Sequence, residues 1–301
     1  MQTCSICPRG CRVNRAEGRG FCGVGEELSV SKIMLHHWEE PCISGKNGSG
    51  AIFLCGCPLK CAFCQNRPIS HGKDGVFEGE VTYTEERLTE SMLRLRDAGA
   101  HNVNLVSPTQ YTEALIRCID SAKNRGLDVP VVWNTGGYEK PETVRALEGR
   151  VDIFLTDVKY FSSELSSVLS GARDYFERAL ESLLEMVRIT GSPELDEDGI
   201  MRRGVIVRHL VLPSCRRDSA EILTRLSDAG LSDRITLSLM SQYTPEFFTG
   251  CSDAKLDRAM RRRVTTFEYE YVRDIANTLG FTGYAQERAS STPTYTPNWG
   301  E

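Results

Sequence analysis

The stretch AIFLCGCPLKCAFCQN, residues 51–66, joins the two patterns that together decide the fold. Its first five residues form a short apolar run typical of a strand, and a cysteine-rich loop follows directly. Similar apolar runs recur at 102–106, 129–133, 151–155, 205–212 and 235–240. Stretches with helical periodicity separate them, and strands that alternate with helices pair in parallel through right-handed crossovers. The sequence therefore predicts an α/β fold with six strand–helix units.

Six units favour a partial (βα)6 barrel of the TIM type over the closed eight-fold form, with an open doubly wound sheet as the alternative. We expect a small cysteine-rich metal-binding module at 1–48, the barrel at 49–287 and a polar, extended C-terminal tail at 288–301. The segment 191–203 carries acids, Gly and Pro, which predicts an exposed loop. After the last strand, the periodicity predicts one helix over 257–279.

Composition excludes several classes of function. The chain has 301 residues and a net charge of −5, so no general attraction to nucleic acid is expected. No apolar run is long enough to span a bilayer, and the first ten residues lack the hydrophobic region of a signal peptide. We therefore expect a cytoplasmic protein with neither a membrane nor a nucleic acid as its partner.

Cysteine is the anomaly, with 12 residues in the chain. In a reducing cytoplasm, clustered cysteines indicate metal binding or catalysis rather than disulfides. Cys57, Cys61 and Cys64 have the spacing C-x3-C-x2-C and follow the first strand, at the end where α/β barrels carry their chemistry. Three thiolates can hold three irons of a four-iron (4Fe–4S) cluster and leave the fourth iron open. Cys55 alternates with Cys57 along the strand, so we expect it to be structural.

This cysteine motif after the first strand of such a barrel resembles the signature of the radical S-adenosylmethionine (SAM) superfamily. The segment CAFCQN resembles the activating enzymes of glycyl-radical proteins. LHHWEEPCISG (35–45) and NLVSPTQY (104–111) are similar to a poorly characterised branch related to pyruvate formate-lyase activating enzymes. The resemblance implies that the open iron binds SAM, which is cleaved reductively to methionine and a 5′-deoxyadenosyl radical that abstracts hydrogen. We predict no catalytic acid–base residue, because the radical breaks the bond.

The resemblance also implies a set of SAM-binding residues at successive strand ends. Asp157 and Lys159 match an Asp-x-Lys motif that contacts the methionyl group, and Arg208 matches an arginine that pairs with the SAM carboxylate. Asn134 stands where the family carries an aspartate. The family's Gly-Gly-Glu motif is absent, and Ser107, Thr109 and Gln110 occupy its segment. The predicted SAM-binding set is Phe63, Ser107, Thr109, Asn134, Asp157, Lys159 and Arg208, while Gln242 stands in for a histidine of the sixth strand.

A second cysteine group, C-x2-C-x3-C-x10-C, comprises Cys4, Cys7, Cys11 and Cys22. Four thiolates can complete a metal site with no open position. The spacing resembles the N-terminal 4Fe–4S module of molybdopterin oxidoreductases, although the last spacer is shorter here. We favour an auxiliary 4Fe–4S cluster over zinc, because zinc sites usually pair two C-x2-C clips and only one is present.

Two pairs of charged or titratable residues precede the first strand of the barrel. We expect His36 and His37 to pack or to form hydrogen bonds rather than to bind a metal, and we expect Glu39 and Glu40 to line the barrel mouth.

The leading hypothesis is an activase-like radical SAM enzyme that acts on a glycyl-radical protein and takes electrons from a flavodoxin or ferredoxin. The alternatives are a radical SAM enzyme that modifies a small molecule or peptide, and a non-catalytic iron–sulfur carrier.

Overall fold

The computed structural model describes residues 3–72 and 76–286, so the predicted tail at 288–301 lies outside the described residues. Within these ranges the chain forms ten strands and ten α-helices. The strands are β1 (Leu28–His36), β2 (Ser49–Leu54), β3 (Val81–Tyr83), β4 (Val103–Val106), β5 (Val131–Thr135), β6 (Ile153–Asp157), β7 (Glu194–Leu195), β8 (Met201–Leu210), β9 (Thr236–Met240) and β10 (Gly283–Ala285). The helices are α1 (Pro41–Ser44), α2 (Arg67–Ser70), α3 (Glu85–Asp97), α4 (Thr112–Asn124), α5 (Pro141–Arg145), α6 (Ser163–Ser170), α7 (Tyr175–Thr190), α8 (Arg216–Asp228), α9 (Ala254–Met260) and α10 (Thr266–Thr278).

One sheet organises the molecule, in the order β10-β9-β8-β6-β5-β4-β2-β1-β3, with β7 paired to β8. Every neighbouring pair from β2 to β10 along this order is parallel. The six apolar runs of the sequence form β2, β4, β5, β6, β8 and β9, which confirms the predicted α/β fold. The sheet is mostly parallel and has two free ends within the described residues, as in a partial barrel.

An antiparallel strand that was not predicted extends this sheet. β1 pairs with β2 along six registered residue pairs, from Val30 opposite Leu54 to His36 opposite Ser49. The predicted module boundary at residues 48 and 49 therefore falls between two strands that share backbone hydrogen bonds. Because β1 is antiparallel to β2, its end at His36 lies beside Ser49, and Glu39 follows it from the amino-end side of the parallel strands.

Two local predictions were wrong. Part of the expected loop at 191–203 is a hairpin, because Glu194 and Leu195 pair with the start of β8. The Asp196 side chain makes the turn by accepting the N–H groups of Asp198 and Ile200. The expected helix at 257–279 is two helices, α9 and α10.

The break between α9 and α10 has a local cause in helix capping. Thr265 and Glu268 form a reciprocal capping box in which each side chain accepts the other residue's backbone N–H. A capping box satisfies two orphan N–H groups and so starts a new helix at this point.

The core lies on both faces of the parallel strands, as the apolar runs indicate. Trp133 on β5 and Phe154 on β6 are completely buried, and so is Cys55 at the end of β2. Cys55 belongs to this core, in agreement with its predicted structural role. No helix in the described ranges has both the length and the hydropathy needed to cross a membrane.

Candidate functional site

The carboxyl ends of the parallel strands surround a cavity of about 240 Å³. This is where parallel α/β sheets bind their ligands, because side chains from several loops converge there. The predicted site residues that line the cavity are Cys57, Cys61, Phe63, Cys64, Ser107, Asn134, Asp157, Lys159, Arg208 and Gln242. A larger cleft of about 910 Å³ lies elsewhere on the surface and shares none of these residues.

The three cysteines of the loop after β2 each have a polar neighbour close to sulfur. These neighbours are the Leu59 N–H, 3.4 Å from Cys57 Sγ, the Ser170 hydroxyl, 3.1 Å from Cys61 Sγ, and the Ser70 hydroxyl, 3.2 Å from Cys64 Sγ. Lys60, in the same loop, has a left-handed backbone with φ of 51°. Polar hydrogens directed at sulfur stabilise thiolates and tune the clusters that thiolates hold. The loop therefore fits an iron–sulfur cluster.

Burial makes the sulfurs of Cys57 and Cys64 poor anions when they are unligated. It raises the pKa of Cys57 and raises the pKa of Cys64 to about 12, although Lys159 acts in the opposite direction on both. A bound metal group replaces the proton and supplies the missing positive charge. Within residues 3–72 and 76–286, no three His, Cys, Asp or Glu side chains gather closely enough to hold a single metal ion.

A row of charged side chains continues from the cysteines along one side of the cavity. Lys159 Nζ donates to Asp157 Oδ2, and Arg208 Nε donates to Asp157 Oδ1 at 2.9 Å. Burial disfavours the Asp157 carboxylate, but Arg208 and Lys159 outweigh burial and lower its pKa. Burial likewise disfavours the Lys159 ammonium, but Asp157 and Cys61 outweigh it and raise the pKa of the lysine. The row is therefore ionised at neutral pH.

Glu39 ends this row on the side away from the cysteines. Its Oε2 accepts from Arg208 Nη1 at 3.3 Å, and its Oε1 accepts from the amides of Asn104 at 3.1 Å and Asn134 at 3.3 Å. Burial raises the pKa of Glu39 despite Arg208. The sequence predicted only that Glu39 lines the barrel mouth. An acid three residues beyond a strand that ends at His36 was the available signal, but that strand was not predicted.

Asn134 connects the row to the neighbouring strand ends. Its Oδ1 accepts from Arg208 Nη2 at 2.6 Å, and its backbone carbonyl accepts from the Ser107 N–H at 2.9 Å. Ser107 has φ of 58°, which is unusual for a residue with a side chain and costs about 1–3 kcal/mol. Gly137 has φ of 80° and leaves no room for a side chain. A Cβ at this position would lie 2.2 Å from the backbone carbonyl oxygen of Asp157.

Thr109 is the one residue of the predicted SAM-binding set that the structure does not bring to the cavity. Its hydroxyl is buried and donates to Glu139 Oε1 at 2.7 Å. The chain enters a 3-10 turn at Thr109–Tyr111, which carries this side chain away from the strand end. Gln110 also points elsewhere and donates to the carbonyls of Cys55 and Gly56, so it supports the backbone of the cysteine loop.

The N-terminal cysteines lie together beside this site. The Cys22 thiol interacts electrostatically with Cys4, Cys7 and Cys11, and Cys7 also interacts with Cys11. Burial raises the pKa of Cys7 to about 12 and also raises the pKa of Cys22. The Phe21 N–H donates to Cys11 Sγ at 3.3 Å. The structure thus places Cys22 within electrostatic range of the other three predicted ligands.

Comparisons with known proteins agree with this geometry. The sequence pattern of the radical SAM superfamily matches residues 51–201, which begin in β2 and include the cysteine loop, Asn134, Asp157 and Lys159. An uncharacterized protein of Methanocaldococcus jannaschii is 30% identical over 280 residues, which cover 92% of this chain and 75% of that protein. The chain therefore belongs to the radical SAM superfamily, whose enzymes cleave SAM reductively with the help of an iron–sulfur cluster.

Proposed function

We propose that this enzyme generates a 5′-deoxyadenosyl radical from SAM and uses it to abstract hydrogen from a glycyl-radical protein, as the activating enzymes do. One observation carries the proposal: Cys57, Cys61 and Cys64 line the same cavity as the charged pair Asp157 and Arg208. A 4Fe–4S cluster held by these cysteines would supply the electron that cleaves the sulfonium and an open iron for SAM.

The protein's own residues orient SAM in this proposal. Arg208 binds the SAM carboxylate with its planar donor group, and Lys159 contributes a second positive charge. Asp157 holds both cations in position through the hydrogen bonds already described. Ser107 and Asn134 offer polar atoms to the methionyl and ribose groups, while Phe63 closes the cavity wall by edge-to-face contacts with Tyr160 and Tyr243.

Exposure at the mouth of the cavity favours a polypeptide substrate. Trp38 lines the cavity and is 58% exposed, which is unusual for so large an apolar side chain. Exposed aromatic residues beside a cavity commonly anchor a partner's chain. The alternative is a radical SAM enzyme that modifies a small molecule or a short peptide. The third candidate, a non-catalytic iron–sulfur carrier, needs none of the charged residues of the row.

We also propose an auxiliary 4Fe–4S cluster at Cys4, Cys7, Cys11 and Cys22. The electrostatic contacts among the four thiols support a shared centre. A tetrahedral zinc ion binds all its thiolates at about 2.3 Å from a single point. Zinc sites usually pair two C-x2-C clips, and the spacing C-x2-C-x3-C-x10-C contains only one, which favours the cluster over zinc. The proposed electron donor is a flavodoxin or ferredoxin.

The test is reductive SAM cleavage by the anaerobically reconstituted, reduced protein. We expect the release of 5′-deoxyadenosine and methionine, and we expect Cys61→Ala to abolish it together with about four irons per chain. Cys55→Ala is the matched control, because Cys55 lies in the same loop but faces the core. Release of no 5′-deoxyadenosine by the wild-type protein would support the carrier and refute the proposal.

The substrate class requires a separate experiment. Incubation with candidate glycyl-radical proteins should produce the doublet EPR signal of a glycyl radical in the partner. If SAM cleavage occurs but accelerates only with small molecules or short peptides, the activase-like proposal is wrong and the alternative stands.

A further inference from the structure

The two cysteine groups meet through a direct backbone contact. The Cys57 N–H donates to the Cys22 carbonyl at 3.3 Å, so a proposed ligand of the auxiliary cluster is hydrogen-bonded to a proposed ligand of the SAM-binding cluster. The contact depends on Gly56, which has φ of 83° and faces Cys22 across the interface. A Cβ at Gly56 would lie 2.8 Å from the Cys22 carbonyl oxygen and 2.9 Å from Val24 Cγ1.

A second connection is made by Arg9, which lies between Cys7 and Cys11 in the chain. Its guanidinium donates to the Pro58 carbonyl at 2.7 Å, to the Ser170 carbonyl at 2.6 Å and also to the Gly171 carbonyl. The Ser170 hydroxyl in turn donates to Cys61 Sγ at 3.1 Å. Two separate hydrogen-bonded paths therefore join the N-terminal cysteine loop to ligands of the cavity.

None of the four N-terminal cysteines lines the cavity, whereas all three cysteines of the loop after β2 do. Cys4 and Cys11 are half-buried, and Phe21, next to Cys22, is 41% exposed and stacks on Arg9 at 3.8 Å. Cys57 and Cys64 are half-buried as well, but they line the cavity, where a bound SAM and a substrate would cover them. A protein partner reaches the N-terminal group without entering the cavity.

We propose that the N-terminal cysteine centre is the entry point for electrons and reduces the centre at Cys57, Cys61 and Cys64 across the Cys22–Cys57 contact. This inference rests on the proposed function. In each transfer, a one-electron carrier protein of the flavodoxin or ferredoxin class is oxidised and the N-terminal centre gains one electron. That centre then returns to its oxidised state by passing the electron to the cavity centre, which is reduced. No proton or leaving group is needed.

The contact can be tested without changing any ligand. Gly56→Ala inserts a methyl group into the interface, and Gly99→Ala is the matched control, since Gly99 has φ of 86° and nothing lies within 4 Å of its added Cβ. We expect Gly56→Ala to slow SAM cleavage driven by reduced flavodoxin by about tenfold, equivalent to ~1.4 kcal/mol of barrier. Cleavage driven by dithionite, which reduces the cavity centre directly, should match that of Gly99→Ala.

A second variant removes the entry point itself. Cys7→Ser combined with Cys11→Ser should lose the iron of the N-terminal centre and retain that of the cavity centre. We expect flavodoxin-driven cleavage to be lost while dithionite-driven cleavage is retained. In EPR, the signal of the reduced cavity centre should saturate at lower microwave power than in the wild type, because its paramagnetic neighbour is gone.

Three outcomes would overturn the inference. These are equal loss of both cleavage rates in the double variant, no loss of either rate, and zinc in place of iron at the N-terminal centre of the wild type. Failure of the proposed function has a different signature, because the wild-type protein would then release no 5′-deoxyadenosine even with dithionite.

Discussion

Glu39 and Arg208 are 169 residues apart in the chain, yet Glu39 Oε2 and Arg208 Nη1 lie 3.3 Å apart inside the sheet. Burial of this pair is nearly complete, with 11% of the glutamate side chain and 17% of the arginine side chain exposed. Asp157 and Glu40 also act electrostatically on Arg208. Burial raises the pKa of Glu39 and of Glu40, whereas Arg208 and Lys159 outweigh burial and lower that of Asp157. Asp157 is therefore the acid of this region that the two cations keep ionised.

Arg208→Lys should weaken SAM binding by about tenfold to a hundredfold, or ~1.4–2.8 kcal/mol. Arg208 donates hydrogen bonds to Asp157, Asn134 and Glu39 from three different nitrogens of its planar guanidinium. The ammonium group of a lysine cannot reproduce this arrangement of donors. Titration of the reconstituted protein with SAM measures the change. Arg202→Lys, at an exposed position of β8, is the control and should bind SAM as the wild type does. An unchanged affinity in Arg208→Lys would contradict the proposed role.

Glu39→Gln should change how stability depends on pH. Burial raises the pKa of Glu39 in the folded state, so the fold prefers the protonated acid. The stability that this group contributes is fully present below its unfolded pKa of about 4.3 and is lost as the pH rises through the folded pKa. We expect the free energy of unfolding of Glu39→Gln to fall less than that of the wild type between pH 5 and pH 8.

Urea denaturation of the cluster-free protein at the two pH values measures this slope. Glu142→Gln, at an exposed position in α5, should retain the wild-type slope. If Glu39→Gln also retained it, the buried carboxylate would not be the titrating group.

Ser170→Ala should make the cluster at Cys61 harder to reduce. The Ser170 hydroxyl donates to Cys61 Sγ at 3.1 Å, and its loss leaves more negative charge on that sulfur. A hydrogen bond worth about 1 kcal/mol corresponds to a fall in potential of ~40 mV for one electron. An EPR-monitored redox titration measures the shift. Ser182→Ala removes a buried hydroxyl that donates to Gly137 instead, and should leave the potential unchanged.

Glu268→Gln should destabilise the protein by about 2 kcal/mol at pH 7. Hydrogen bonds from Arg262 lower the pKa of Glu268 to about 2 despite its burial, and the N–H groups of Thr265 and Ser214 contribute further. Because this pKa is depressed, the stability is present above about pH 4.3 and is lost as the pH falls toward 2.

The difference between Glu268→Gln and the wild type should therefore shrink between pH 5 and pH 3 in urea denaturation. Glu270→Gln, exposed on the same helix, should stay within about 0.5 kcal/mol of the wild type at both pH values. A difference for Glu268→Gln that does not depend on pH would show that its carboxylate is not ionised selectively in the folded state.

The sequence predicted six strands of the parallel part of the sheet, because each is rich in apolar residues that are buried in the core, but it did not predict the three-residue strand β10. The resemblance to radical SAM enzymes assigned Asp157, Lys159 and Arg208 at the ends of these strands, and the structure brings them together because the ends of parallel strands meet at one edge. The sequence did not reveal β1, whose segment mixes Ser, Lys and His with apolar residues and becomes a strand only by pairing with β2. β-propensity depends strongly on such tertiary context.

Missing β1 had consequences for the site. Glu39 follows that strand, so its approach to Arg208 could not be foreseen from local pattern. Thr109 illustrates the opposite error, because its position after β4 suggested a cavity residue. The 3-10 turn at Thr109–Tyr111 directs the Thr109 side chain toward Glu139 instead. The backbone conformation at this single residue therefore decides whether its side chain reaches the cavity.

The two ends of the sheet, β3 and β10, are strands of only three residues each. A long unpaired edge would expose a ladder of free N–H and C=O groups on which another copy could polymerise. Edge strands of three residues offer an incoming strand few backbone groups for hydrogen bonding. Within the described residues, the sheet can thus stay open at both ends without becoming a seed for fibrous aggregation.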